Sequence, residues 1–215
     1  MNTISADALI QQLNWRYATK KFDSSRKLSA DQWKALEETL RLTPSSFGLQ
    51  PWKFIAVTSD QLKAQLKPLS WNQDQVVDCS HYVVMCQQTT MDVAHIDAYV
   101  ADIAKTRGVT VESLKGYREM MVGSVEGPLK EHLSVWNSRQ IYIALGNFMT
   151  AAAVLGIDTC PMEGFGRGEY NRLLGLEGTG YETVVCCAVG FRSKEDPYAS
   201  AKKVRFPASK VIEIR

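Results

Sequence analysis

Two pairs of cations stand at opposite ends of this 215-residue chain. Arg16 and Lys20 share the segment Arg16-Tyr17-Ala18-Thr19-Lys20-Lys21-Phe22-Asp23, and Lys203 and Arg205 fall just before Pro207. In an extended stretch the second pair projects to one side. A guanidinium fork can bond two oxygens of one phosphate at once, so these pairs suit a phosphate-bearing ligand. Taken singly, each reads first as a solvated surface cation, because basic side chains are mostly exposed. A third polar segment, Pro44-Ser45-Ser46-Phe47-Gly48-Leu49-Gln50-Pro51-Trp52-Lys53-Phe54, adds hydroxyls and amides between turn-forming residues.

Other chemistries have less footing. Asp92-x-x-His95 is half of a metal site without a third ligand nearby, so no metal is expected. No Ser or Cys sits in a nucleophile elbow. Gly164-x-Gly166-x-Gly168 imitates a dinucleotide fingerprint, but the spacing fails at Glu169, and these glycines read as turn residues. His81 reads as the end of a core strand and His132 as part of a polar helix start. Phe47, Tyr117 and Trp136 either line a pocket or pack in the core.

The elements that must position these groups follow from periodicity and caps. Leu9, Ile10 and Leu13 give a short first helix. Ser29 with Gln32 forms a capping box before a helix bearing Trp33, Leu36 and Leu40, which ends by Pro44. Strands are expected at Trp52–Thr58, Tyr82–Cys86, Ile157–Pro161 and Thr183–Gly190, and helices at Ser59–Leu66, Asp92–Lys105 and Val111–Val122. Leu114, Tyr117 and Met121 mark the inner face of the last of these. The strongest helix runs from about Trp136 to Leu155, with Ile141, Leu145, Phe148, Ala152 and Leu155 on one stripe. Its opposite side, Tyr142, Gly146, Met149 and Ala153, is not polar either, which predicts a buried helix, with a second subunit as one possible cover. The fold class is α+β, a central mixed, mostly antiparallel sheet flanked by helices. No linker divides residues 1–215, so one domain is expected, with about 92–135 as a helical excursion.

Five features in order along the chain resemble the nitroreductase family of FMN-dependent NAD(P)H oxidoreductases. They are Arg16-x-x-x-Lys20, Pro44-Ser45-Ser46-x-x-x-Gln50-Pro51-Trp52, Asn72 ten residues before the strand at Tyr82, Pro161-Met162-Glu163-Gly164 after a strand, and Lys203-x-Arg205. None is specific alone; five in the right order are. The resemblance implies a nitroreductase-like fold, a homodimer with FMN at its interface, and the long helix at that interface. It implies that Arg16, Lys203 and Arg205 hold the phosphate and that Lys20 lies near N1 and O2 of the ring, where it stabilises reduced flavin. Asn72 would bond the polar edge. The backbone N–H groups of Glu163 and Gly164, after Pro161, would approach N5 and O4, where glycine permits close contact. Pro44, Ser45, Ser46 and Gly48 would reach the flavin of the other subunit. Gln140 is a candidate for the same pocket, and Phe47 and Tyr117 for the substrate pocket that the 92–135 excursion lines.

The implied chemistry needs no protein nucleophile and no metal: NAD(P)H gives hydride to N5 and leaves, and a nitroaromatic, quinone or similar acceptor takes its place in ping-pong fashion. Departures from the family pattern are Tyr17 and Ala18 in place of His and Ser, Gly48 in place of Asn, and Gln75 in place of a second lysine. The last would leave the reduced flavin less stabilised. The alternatives are a flavin or dihydropteridine reductase passing reduced cofactor onward, and a non-catalytic FMN carrier or sensor. Sequence leaves the acceptor and the choice between NADH and NADPH open.

The bulk properties agree with an ordinary globular protein. The chain is 45% hydrophobic and 22% charged with a formal charge of +2, and its cations are dispersed, so no nucleic-acid partner is expected. Five cysteines in no framework spacing fit reduced thiols, and Cys186 and Cys187, adjacent in a strand, should face opposite layers. The N-terminal stretch Met1–Asp7 lacks a basic region followed by an apolar one, and Tyr142–Ile157 is too short to span a bilayer. A cytoplasmic location without membrane contact is the expectation.

Overall fold

The computed structural model describes residues 3–215. Met1 and Asn2, the start of the stretch in which no leader is expected, lie outside the described residues. Helix α1 (Ala6–Trp15) is capped by Ser5, whose hydroxyl accepts from the Ala8 N–H. Helix α2 (Ala30–Arg41) starts with the expected box: Ser29 Oγ accepts from Gln32 N, and Gln32 Oε1 accepts from Ser29 N. Strand β1 (Trp52–Val57) leads to α3 (Asp60–Leu69), capped by Ser59 and running through Pro68, which extends it past the expected Leu66. A short α4 (Gln75–Asp78) precedes β2 (His81–Gln88), which His81 begins rather than ends.

Helix α5 (Val93–Arg107) is capped by Asp92 and stops at Gly108 with φ of 66°. Then come α6 (Lys115–Glu126), α7 (Leu133–Val154), β3 (Asp158–Met162), α8 (Arg167–Leu173), β4 (Tyr181–Gly190) and α9 (Ala208–Val211). Gly166 and Gly168, read as turn residues, instead cap and open α8, so a helical N-terminus takes up the glycine-rich run. No described helix is long and apolar enough to cross a membrane.

The sheet order is β1-β2-β4-β3, and every strand pair is antiparallel. Its parallel component among the described residues is the isolated bridge between Ala18 and Thr159. Alternation along β2 and β4 divides the core into two layers. Tyr82, Val84 and Cys186 face a layer with Leu66 of α3 and Tyr170 of α8. Val83, Met85 and Cys187 face Leu36 and Leu40 of α2 and Ile141, Leu145 and Phe148 of α7. The adjacent cysteines therefore do point to opposite faces, and all five thiols are free and buried. Burial pushes Cys79 up to about 11 and Cys86 up to about 12, which keeps them protonated and unreactive. A third cluster joins α5, α6 and the Ser45–Gln50 turn through Ile96, Val100, Met121 and Leu49.

Helix α7 corrects one expectation. Ile141, Leu145, Phe148 and Ala152 are buried, but Leu155 lies past the helix end and is exposed, as are Tyr142, Ile143 and Val154. One chain covers one side of this helix only. Buried Lys63 serves a positioning purpose: its Nζ donates to the carbonyls of Cys79 at 2.7 Å and Ser80 at 2.9 Å, fastening α3 to the turn between α4 and β2. Burial lowers its pKa, and two carbonyls take the place of water around the ammonium.

Candidate functional site

The two cationic segments of the sequence meet in one cleft. A cavity of about 470 Å³ is lined by Trp15, Arg16, Tyr17, Ala18, Arg192, Tyr198, Lys203 and Arg205, among others. Arg16 is the C-cap of α1, its N–H donating to Gln12 O at 3.0 Å. Lys203 reaches across to the same helix end: its Nζ donates to Leu13 O at 2.6 Å and to the Arg16 carbonyl. An ammonium there meets the negative end of the helix dipole and carbonyls left open by the last turn. Arg205 is exposed, and among the described residues its guanidinium is bonded only to the Val204 carbonyl.

This cleft fits a phosphate. Arg16 Nε is buried and has no hydrogen-bond partner among the described residues. An orphaned charged donor costs free energy unless an acceptor arrives. Burial, then the charges of Arg16 and Arg205, lower the pKa of Lys203, as expected of clustered cations awaiting a counter-charge.

Three residues without an assigned role in the sequence support the cleft: Arg192, which lines it, and Asp158 and Asp196, which lie behind it. Arg192 lies over the rings of Trp15 and Tyr17, with Cζ at 4.1 and 4.5 Å from their centroids. Its Nε donates to Asp158 Oδ1 and its backbone N–H to Asp158 Oδ2, both at 2.8 Å, which ties the end of β4 to β3. Asp196, 4% exposed, accepts from four donors: Tyr17 Oη at 3.0 Å, Lys20 N at 2.8 Å, Lys21 N at 3.0 Å and Tyr198 N at 2.9 Å. Burial alone would raise its pKa, yet these donors hold it below the usual carboxylate value. Burial and the bond to Asp196 push Tyr17 up to about 12. The only sequence signal for Asp196 was the turn-forming Asp196-Pro197 pair.

A second group lies along the start of β3 and the end of α3. Thr19 N donates to Thr159 O at 3.2 Å, which leads the chain into Lys20, whose side chain is exposed and whose charge acts on the Cys160 thiol. Gln75 is buried beside the same thiol. Pro161 sits in β3, an edge strand, where a missing N–H is tolerated. Asn72 is exposed and takes φ of 56°, following Trp71 at 54°. Gln73 Nε2 donates to Ser70 O and Gly164 O, both at 3.1 Å, joining this turn to the segment after β3. A Cβ on Gly164 would meet the Trp71 ring at 2.7 Å, so glycine is what allows the two segments to close. The Glu163 and Gly164 N–H groups donate to nothing among the described residues. The Glu163 carboxylate accepts from Tyr142 Oη on α7.

The third predicted segment lies apart. None of Pro44, Ser45, Ser46 or Gly48 lines the cation cleft. Ser46–Gly48 forms a 3-10 turn, with Phe47 at φ 56° and Gly48 at φ 75°. Gln140 on α7 holds it with one end of its carboxamide: Oε1 accepts from Ser46 N at 2.9 Å, while Nε2 donates to Trp136 O, one turn back on the same helix, at 3.1 Å. Tyr117 Oη donates to Phe47 O at 2.7 Å, and Phe47, Tyr117 and Trp136 pack half-buried against the third cluster. His95 is similarly occupied, its ring nitrogens paired with Leu49 O at 2.6 Å and Gln88 Nε2 at 3.1 Å, while Asp92 caps α5.

Comparison with known proteins places this geometry. The model of the nitroreductase family matches residues 13–191. A Staphylococcus haemolyticus protein, provisionally named an NAD(P)H nitroreductase, is 36% identical over 96% of this chain and 97% of its own. A Bacillus subtilis crystal structure, provisionally named a nitroreductase, superposes with a TM-score of 0.85 at 22% identity, covering 98% of this chain and 100% of that one. A structure from Exiguobacterium sibiricum, provisionally named a nitroreductase and in complex with FMN, gives a TM-score of 0.80 at 22% identity over 100% of this chain and 99% of that one.

Proposed function

The chain belongs to the nitroreductase family, and we propose that it is a homodimeric, FMN-dependent NAD(P)H oxidoreductase that reduces nitroaromatic, quinone or related acceptors. The observation that carries this reading is the cation cleft with a buried, unpartnered Arg16 Nε at its wall. Arg16, Lys203 and Arg205 would bind the FMN phosphate, and Tyr17 and Ala18 would line its approach. Lys20 and Asn72 would meet the polar edge of the ring, with Gln75 behind them. The free N–H groups of Glu163 and Gly164 would donate to N5 and O4. FMN, when bound, supplies hydride acceptance and donation, so the chain needs no nucleophile or metal of its own.

The Ser45–Gly48 turn lies outside the cleft, which supports a site completed by a second copy, with Pro44, Ser45, Ser46 and Gly48 reaching across. Gln140 then acts by holding that turn. Phe47 and Tyr117 would face the acceptor, under the α5–α6 excursion. Donor and acceptor would occupy one pocket in succession, giving ping-pong kinetics.

A visible absorption spectrum before and after anaerobic NAD(P)H tests the reading. A yellow protein that bleaches, and recovers its colour with a nitro or quinone acceptor, is the expected result. A protein that stays colourless after added FMN overturns it. A yellow protein that never bleaches would make it a flavin carrier.

A further inference from the structure

Asp196 stands between the two halves of the cation cleft. It follows β4 and precedes the cationic tail, yet three of its four donors, Tyr17 Oη and the backbone N–H groups of Lys20 and Lys21, come from the N-terminal segment, and only the fourth, Tyr198 N, comes from its own side. A carboxylate next to a phosphate site ordinarily repels the ligand. This one does not line the cleft, and it is buried with donors on both oxygens. Arg192 lines the cleft beside it, over the Tyr17 ring and held by Asp158. Tyr17, one of this chain's departures from the family pattern, therefore has a defined job: its ring faces Arg192 and its hydroxyl closes on Asp196.

Resting on the flavin reading above, we infer that Asp196 is a positioning residue that fixes Arg16 and Lys20 relative to Lys203 and Arg205, and so makes the cleft select a flavin carrying a phosphate over one without it. Two chain segments more than 170 residues apart in sequence, as the separation of 179 between Tyr17 and Asp196 shows, must converge on one small anion. Without their shared acceptor, the backbone N–H groups of Lys20 and Lys21 lose a charge-assisted partner and the segment loosens. The phosphate end of the ligand would feel this most, because its bonds need cations from both segments at once.

The sign of the effect separates positioning from simple electrostatics. Asp196→Asn keeps the size and removes a negative charge near the cleft. If charge alone mattered, FMN would bind more tightly. Positioning requires the opposite.

The full-length protein, stripped of flavin, is titrated with FMN and with riboflavin, following quenching of flavin fluorescence. The expected result is that wild type prefers FMN, and that Asp196→Asn weakens FMN by about tenfold or more, the scale of one lost hydrogen bond to a charged group, while riboflavin, which meets Lys20 but none of the phosphate cations, weakens by clearly less, so that the FMN-to-riboflavin ratio falls. Tyr17→Phe removes one donor only and is expected to move the FMN-to-riboflavin ratio the same way by roughly threefold; it carries the test if Asp196→Asn does not fold. Equal or tighter FMN binding by the variants overturns the inference. So does a parallel loss of both flavins, which would mean general damage. A wild type that binds neither flavin overturns the functional reading, and this inference with it.

Discussion

Lys20 has its backbone N–H fixed on Asp196 and its ammonium exposed, with no acceptor among the described residues, so its charge is available to a ligand. Replacing it with Ala should make the bound flavin harder to reduce, lowering the midpoint potential by some tens of millivolts, because an adjacent cation stabilises the anionic reduced ring. An unchanged potential in a redox titration would remove Lys20 from the ring edge. Among the described residues Arg205 is bonded only to its neighbour's carbonyl, and it is expected to act on the phosphate directly. Arg205→Ala should weaken FMN about tenfold, read as flavin lost on dialysis, since a charge-assisted bond is removed. Lys203 adds a pH dependence. Burial and the neighbouring cations lower its pKa in the free cleft, and a bound phosphate would raise it again. FMN affinity should therefore fall as pH rises through the lowered value, below the ordinary lysine range, and riboflavin affinity should not follow.

At the scale of elements, the site depends on turns that hold unusual backbone. Gly48 has φ of 75°, and a Cβ there would lie 2.0 Å from the Tyr99 hydroxyl on α5. Gly48→Ala should cost about 2 kcal/mol from backbone strain, more if Tyr99 cannot move, and should shift the denaturant midpoint downward. A midpoint equal to wild type would mean that the turn is not held against α5. Trp71 and Asn72 are a comparable pair at left-handed φ, closed onto Gly164 by Gln73. The Ser29–Gln32 capping box is legible in the sequence because both of its residues carry a local side-chain signal, whereas Ser59 and Asp92, expected as the first residues of their helices, are their N-caps. Asp92 in particular was spaced as a metal ligand with His95 and proved to be a cap, since a carboxylate three residues before an N–H serves either purpose until the chain is folded. In the glycine run at 164–168 the turn reading holds for Gly164, which lies in the loop after β3, while Gly166 caps α8 and Gly168 lies inside it, because the segment from Arg167 can continue as a helix.

For the whole molecule, α7 shows what one chain leaves undone. Tyr142, Ile143 and Val154 are exposed along a helix whose other side is fully packed. With the Ser45–Gly48 turn outside the cleft, this predicts that flavin retention and dimerisation are lost together. Ile143→Asp should yield a monomer by light scattering with most of its FMN gone; a stable monomer that keeps its flavin would refute the shared site. Acid should loosen the assembly from the cleft outward. The Asp196 pKa is lowered in the folded state, so its stabilising contribution is present above the unfolded value and is lost as pH falls through the folded one, within the acidic carboxylate range. What the sequence determined by itself was everything set by local pattern and order: the α+β class, the period-two split of Cys186 from Cys187, the capping box, and the five features in family order that named the cations. The tertiary structure alone decided which groups share a cleft, that Gln140 is spent on the Ser46 turn, and that Asp196 and the Asp158–Arg192 pair hold the N-terminal cationic segment beside the ends of β3 and β4, while Lys203 reaches the end of α1. Those contacts join residues far apart in sequence, and a carboxylate or guanidinium carries no local mark of its partner; only the closure of β4 against β3, and of the tail against α1, brings the donors within reach.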